Sequence, residues 1–76
     1  MSAEEMFRNL NYKELEKQNN YDKEYESTKN EIGDTFKICF NSKNKTIDLF
    51  VWDCAIRLSS QDIIAIYKQM QELNIN

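Results

Sequence analysis

Cys39 and Cys54, with Lys37 two residues before the first of them, are the nearest thing to an activated nucleophile in a chain that contains no histidine. A thiol attacks only as its thiolate, which needs a base or a cationic neighbour to form near neutral pH. One lysine two positions along an extended segment is weak provision, so both cysteines read as small apolar packing residues. The two are also too few to hold zinc without further ligands. Paired carboxylates occur at Glu14 with Glu16 and at Asp48 with Asp53, but an exposed acidic surface offers nothing to separate their pKa values for acid–base work. A single glycine cannot build a phosphate-cradling loop. The expectation is a protein without catalytic activity, cofactor or metal.

The elements available to position any binding surface are few. Seventy-six residues, 41% of them hydrophobic and 30% charged, suit one globular domain, 1–76. A chain of this size buries roughly 60–65% of its unfolded surface, leaving little to decorate a deep site. No apolar run is long enough to span a bilayer. The start, MSAEEMFRNL, has acidic residues where a secretory leader would be basic. Two cysteines are also few for a small secreted fold, so a cytoplasmic location is expected. Net charge is −3 but unevenly placed: residues 1–34 carry nine acidic and five basic side chains, and residues 35–76 carry four and five. Neither half has the basic excess that nucleic-acid phosphates demand, so nucleic acid is not an expected partner, nor is a membrane.

Ser2 and Glu5 have capping-box spacing, and Met6, Phe7 and Leu10 give one apolar face, which predicts a helix over 3–10 ended by Asn11. Residues 12–28 are polar and charged. Tyr12 with Glu14, and Tyr21, Lys23 and Tyr25 on one side, fit two short strands, with a single helix as the alternative. TFKICFN and KTIDLFVW are stronger strand signals. A two-residue loop at Lys43-Asn44 sets Phe40 opposite Ile47, Ile38 opposite Leu49 and Phe36 opposite Val51, so that turn and hydrophobic pattern agree on register. A last helix opens at Ser59 with Asp62 three residues on. Its stripe Ile63, Ile66, Tyr67, Met70 and Leu73 is expected across the inner face of the sheet. The fold class is therefore α+β: an antiparallel meander of about four strands, a short N-terminal helix, and a C-terminal helix on one face.

TIDLFVWDC, residues 46–54, is apolar on both parities. In the register above Phe50 and Trp52 share the second face with Lys37 and Cys39. Either the first helix folds over that face through Met6, Phe7 and Leu10, or it pairs with a second copy in a homodimer, or it receives another protein.

The opening SAEEMFRNLNYKELEKQNN, the hairpin FNSKNKTI and the final LSSQDIIAIYKQMQELN together resemble a set of small proteins from Firmicutes phages and prophages. Those begin with an AEEMFEELGY-like helix, continue through an FNKKNKTI-like hairpin and end in an ITMEELQAINKKCQELG-like helix. Asn11 and Asn74 stand where that pattern has glycine, and asparagine tolerates the left-handed conformation needed there. The resemblance carries no catalytic residues. It implies action on a host protein inside the bacterial cell, in its most specific form inhibition of an anti-phage defence system in the manner of anti-CRISPR proteins. The residues expected to bind are the carboxylates Glu14, Glu16, Asp22, Glu24 and Glu26 against a basic groove, with Phe50 and Trp52 as anchors and Lys37 beside them. A homo-oligomeric phage assembly protein is the alternative expectation, and a nucleic-acid-binding module the more remote one.

Overall fold

The computed structural model describes residues 1–17, 20–27, 35–51 and 56–75. Helix α1 (Ala3–Asn9) is followed by strands β1 (Tyr12–Glu14), β2 (Lys23–Ser27), β3 (Phe36–Asn41) and β4 (Thr46–Val51), and by helix α2 (Ser60–Glu72). The four strands form one antiparallel sheet in chain order, β1-β2-β3-β4. This is the expected α+β meander, with strands at Tyr12–Glu14 and Lys23–Ser27 where a helix was the alternative.

Both helices begin as their sequences dictate. The Ser2 hydroxyl accepts the Glu5 N–H at 3.2 Å while the Glu5 carboxylate accepts the Ser2 N–H at 3.1 Å. Ser59 and Asp62 repeat the arrangement at 3.1 and 2.7 Å, so each helix start has two otherwise unmatched donors satisfied. Asn11 (φ 66°) and Asn74 (φ 57°) take the left-handed conformation just past the helix ends. After Asn74 the Ile75 N–H reaches the Met70 carbonyl at 2.8 Å and its side chain is buried, closing a Schellman-type end.

The hairpin register is the expected one: Phe36 faces Val51, Ile38 faces Leu49 and Phe40 faces Ile47. The loop differs. It spans the four residues between Asn41 and Thr46, and the left-handed residue is Lys45 (φ 58°) rather than the Lys43-Asn44 pair. The Asn41 side-chain oxygen accepts the Asn44 N–H at 3.0 Å, a local bond that opens the turn one residue earlier than a two-residue loop would.

One sheet face, the inner one, carries Tyr12, Tyr25, Phe36, Ile38, Phe40, Ile47, Leu49 and Val51. Phe7 of α1 sits at its centre, fully buried. It stacks on Tyr25 with ring centroids 4.0 Å apart and meets Tyr12 edge-on at 5.1 Å. Burying such a ring contributes about 1.5–3 kcal/mol. The first helix thus shares the inner side with α2 and does not fold over the second face. The Ala3 N–H donates to the Glu72 carboxylate at 2.9 Å, tying the start of α1 to the end of α2.

Helix α2 is rotated from the orientation its apolar stripe suggests. Its buried residues are Asp62, Ala65 and Gln69, with Ile66, Met70 and Leu73 packed at the core margin. Ile63 and Tyr67 are 51% and 60% exposed. The reason lies in the sheet. The Tyr12 hydroxyl donates to the Asp62 carboxylate at 3.2 Å, and the Tyr25 hydroxyl donates to the Gln69 side-chain oxygen at 2.6 Å. Phenols buried beneath a helix need acceptors, and leaving them without would cost more than exposing two apolar side chains partway.

Gln69→Leu is therefore expected to destabilise the fold by about 1–3 kcal/mol, because the Tyr25 hydroxyl is left buried without its acceptor. Adding Tyr25→Phe should restore most of the loss. Urea denaturation of the two variants checks this, and a double variant no more stable than Gln69→Leu contradicts it.

Candidate protein-docking surface

The second, outer face is organised in rows across the strands. One row runs Lys13, Glu26, Lys37, Phe50 from β1 to β4. The next runs Glu24, Cys39, Asp48, extended at the β1 side by Leu15, whose N–H donates to the Glu24 carbonyl at 2.9 Å. Period-2 alternation places these residues opposite the aromatic core.

What lies over this face is Tyr21 rather than α1. Strand β2 begins only at Lys23, and the chain bends at Asp22, so Tyr21 departs from the expected side shared with Tyr25. Its hydroxyl donates to the Asp48 carboxylate at 2.6 Å and its ring meets Phe50 edge-on at 6.2 Å. The hydrogen bond to Asp48, helped by partial burial, pushes the Tyr21 phenol up to about 12. Phe50 stays 42% exposed beside it.

Cys39 lies fully buried in this face, its thiol donating to the Glu24 carboxylate at 3.6 Å. Burial first, and the adjacent Glu24 charge second, push the thiol up to about 12, the reverse of what a nucleophile requires. Lys37 acts in the opposite direction but is outweighed.

Beside that buried centre lies a groove of about 470 Å³ whose lining includes Glu14, Glu16, Glu24 and Glu26 with Lys13 and Lys37. Glu14 borders it from β1 but shares the parity of Tyr12 and Tyr25 and turns its carboxylate to Lys23, so the groove's charges are Glu16, Glu24 and Glu26 against Lys13 and Lys37, a net acidic balance. The groove brings together five of the residues singled out from sequence: Glu14, Glu16, Glu24, Glu26 and Lys37. Glu14 also pairs with Lys23 at 2.9 Å, an exposed contact of little energetic weight. Asp22 does not line the groove. Its carboxylate accepts the Ser42 N–H at 2.7 Å, and bonds from Ser42 hold it below the ordinary carboxylate range, so it pins the β3–β4 turn. Phe50 stands beyond Lys37 in the same row. Trp52, and with it Asp53 and Cys54, lies outside the described residues.

The lysines of the hairpin do not assemble into one patch. Lys43 and Lys45 are at the tip, whereas Lys37 is six residues from Lys43, roughly 20 Å along an extended strand. Among the described residues no three metal-ligating side chains converge and no helix is long and apolar enough to cross a membrane.

Tyr21 and the buried Glu24–Cys39 contact are the features sequence reasoning missed. The signal for Tyr21 was present, because Asp22 is a natural turn residue between it and the strand. No known protein family, curated protein or solved structure matches the chain.

The raised phenol and thiol make the fold alkali-sensitive. Cys39 ionises near 9 when unfolded and near 12 when folded, and Tyr21 near 10 and near 12. The unfolded chain therefore sheds protons first as pH rises, and the stability these groups contribute below pH 9 is lost progressively toward pH 12. Urea midpoints should fall steadily from about pH 9 upward, less steeply in Cys39→Ala. In a Cys54→Ala background Cys39 should react with a thiol reagent only on unfolding. Rapid labelling of the folded protein contradicts its burial.

Proposed function

We propose that the protein acts without catalysis, by docking the acidic groove of its outer sheet face onto a basic surface of another protein. The observation that carries this reading is the convergence of Glu16, Glu24 and Glu26 from β2 and the β1–β2 connection on one groove beside the exposed ring of Phe50. Fixed carboxylates on a rigid sheet steer a basic partner into register, and a half-exposed aromatic gives the contact an apolar anchor. Cys39 supports a binding role over a catalytic one, since its proton is held by burial and by Glu24. Taken with the resemblance to small phage proteins, the partner is a bacterial host protein and its most specific identity a component of an anti-phage defence system.

The test expresses the tagged chain in a bacterium with an active defence system. It compares the wild type with a Glu16→Lys/Glu26→Lys variant and with Phe50→Ser. A defence component should be captured by the wild type, and capture should fall at least tenfold in the charge-reversed variant. It should also weaken as salt shortens the screening length from about 10 Å at 0.1 M to about 3 Å at 1 M. Capture indifferent to both salt and charge reversal removes the groove from the mechanism. Undiminished defence in cells expressing the protein removes the inhibitor reading.

A further inference from the structure

The sheet has two edges of different character. β1, at one edge, is three residues long and covered on its inner side by α1, with which it packs. β4, at the other edge among the described residues, is six residues long and reads TIDLFV. Soluble proteins defend such an edge with charged side chains, lysine above all, with proline or with a bulge, and glycine within a strand weakens it. β4 carries no lysine, proline or glycine, and its single charge, Asp48, is hydrogen-bonded to Tyr21. Leu49 and Val51 on the inner side and Phe50 on the outer side are all exposed.

The backbone of this edge is also aimed outward at known positions. Leu15 N–H bonds the Glu24 carbonyl, so Glu24 directs its backbone at β1. Alternate residues of an antiparallel sheet direct their N–H and C=O groups at opposite neighbours. Tyr25 therefore addresses β3 through Ile38, Cys39 addresses β4 through Asp48, and Leu49 addresses the open edge along with Ile47 and Val51.

We propose that β4 pairs antiparallel with β4 of a second copy about a two-fold axis at Leu49, joining two sheets into one of eight strands. Residues facing each other across such a pair lie on the same side of the sheet, so only registers centred on a residue are allowed. Centring on Asp48 sets two carboxylates directly opposite, which is destabilising. Centring on Phe50 aligns only the end of the strand. Centring on Leu49 sets Leu49 against Leu49, and Ile47 against Val51 on either side. Each of those three residues donates and accepts one backbone bond, six across the pair. On the outer side Asp48 faces Phe50 in both directions, so the strand's only carboxylate meets a ring rather than itself. The edge is thus complementary to its own copy, which an isologous contact requires. This contact leaves the carboxylates of the acidic groove free, shares only Phe50 with the docking surface, and sets two grooves on one continuous outer face.

Light scattering on a sizing column, over a series of protein concentrations, tests the pairing. The wild type should reach twice the 9.1 kDa chain mass. Leu49→Lys, whose two copies place like charges opposite, should stay at 9.1 kDa with an unchanged circular-dichroism spectrum. Mixing Leu49→Lys with Leu49→Glu should restore the double mass, an outcome specific to a register in which residue 49 faces itself. Should Leu49→Lys lose the folded spectrum, Val51→Lys, placed against Ile47, takes its role. A wild type at 9.1 kDa at every concentration overturns the proposal. So does a dimer that survives the lysine variants, or a Lys–Glu mixture that stays monomeric. The edge contact should be insensitive to salt while capture through the groove is not, which separates failure of one from failure of the other.

Discussion

Placing Tyr12 and Tyr25 under a helix obliges that helix to supply acceptors. α2 does so with Asp62 and Gln69, seven residues and about 10.5 Å apart along one face. Nearly every other feature of the molecule is arranged around that requirement. Phe7 fills the space between the two phenol rings, which draws α1 to the inner side beside α2 rather than across the sheet. Asp62 serves twice, capping the start of α2 and accepting from Tyr12, so the helix is fixed in position and in rotation by the same carboxylate. Gln69 fixes the rotation again two turns later.

That rotation sets what is left at the surface. With Asp62, Ala65 and Gln69 turned inward, the flank bearing Ile63 and Tyr67 turns outward. Exposure of Ile63 and Tyr67 is then a consequence of satisfying two hydroxyls in the core. A buried hydroxyl without a partner costs about 1–3 kcal/mol, whereas partial exposure of one aliphatic side chain costs a fraction of its roughly 1.5–3 kcal/mol burial energy. The polar pairs win.

The parts of the fold governed by local rules were readable from the chain. Capping boxes, the asparagines at φ near 60° and the β3–β4 register each follow from residues close in sequence and from strict period-2 alternation. The rotation of α2 was not readable from its own residues, because Asp62 and Gln69 look like surface positions and the Ile63–Tyr67 stripe looks like a core face. The clue lay fifty residues away: tyrosines on the inner face of a strand need hydrogen-bond partners. Of the candidate surface, the carboxylates of the β1–β2 region were evident from charge alone, and strand alternation sets Glu24 and Glu26 on the face opposite Tyr25 while Glu14 shares the Tyr25 side. Asp22 stands apart from the groove, and the chain alone does not show this because a turn-forming carboxylate and a partner-binding one have the same sequence signature.

The outer face shows why a small chain carries two kinds of surface at once. Its centre is closed by Tyr21 over Asp48 and Phe50, with Cys39 protected beneath, so the face is rigid where it is buried and charged where it is open. Rigid placement matters to a docking role, since carboxylates held on strands lose less conformational freedom on binding than carboxylates on a mobile loop. The edge of β4 is a different sort of feature, recognised through backbone groups and apolar side chains rather than charge. A groove that selects by electrostatics and an edge that selects by shape and register draw on different residues except for Phe50, which borders both. Joining two edges leaves both grooves open on the same side, and a partner with repeated basic surfaces could engage both, raising its avidity without any new contact.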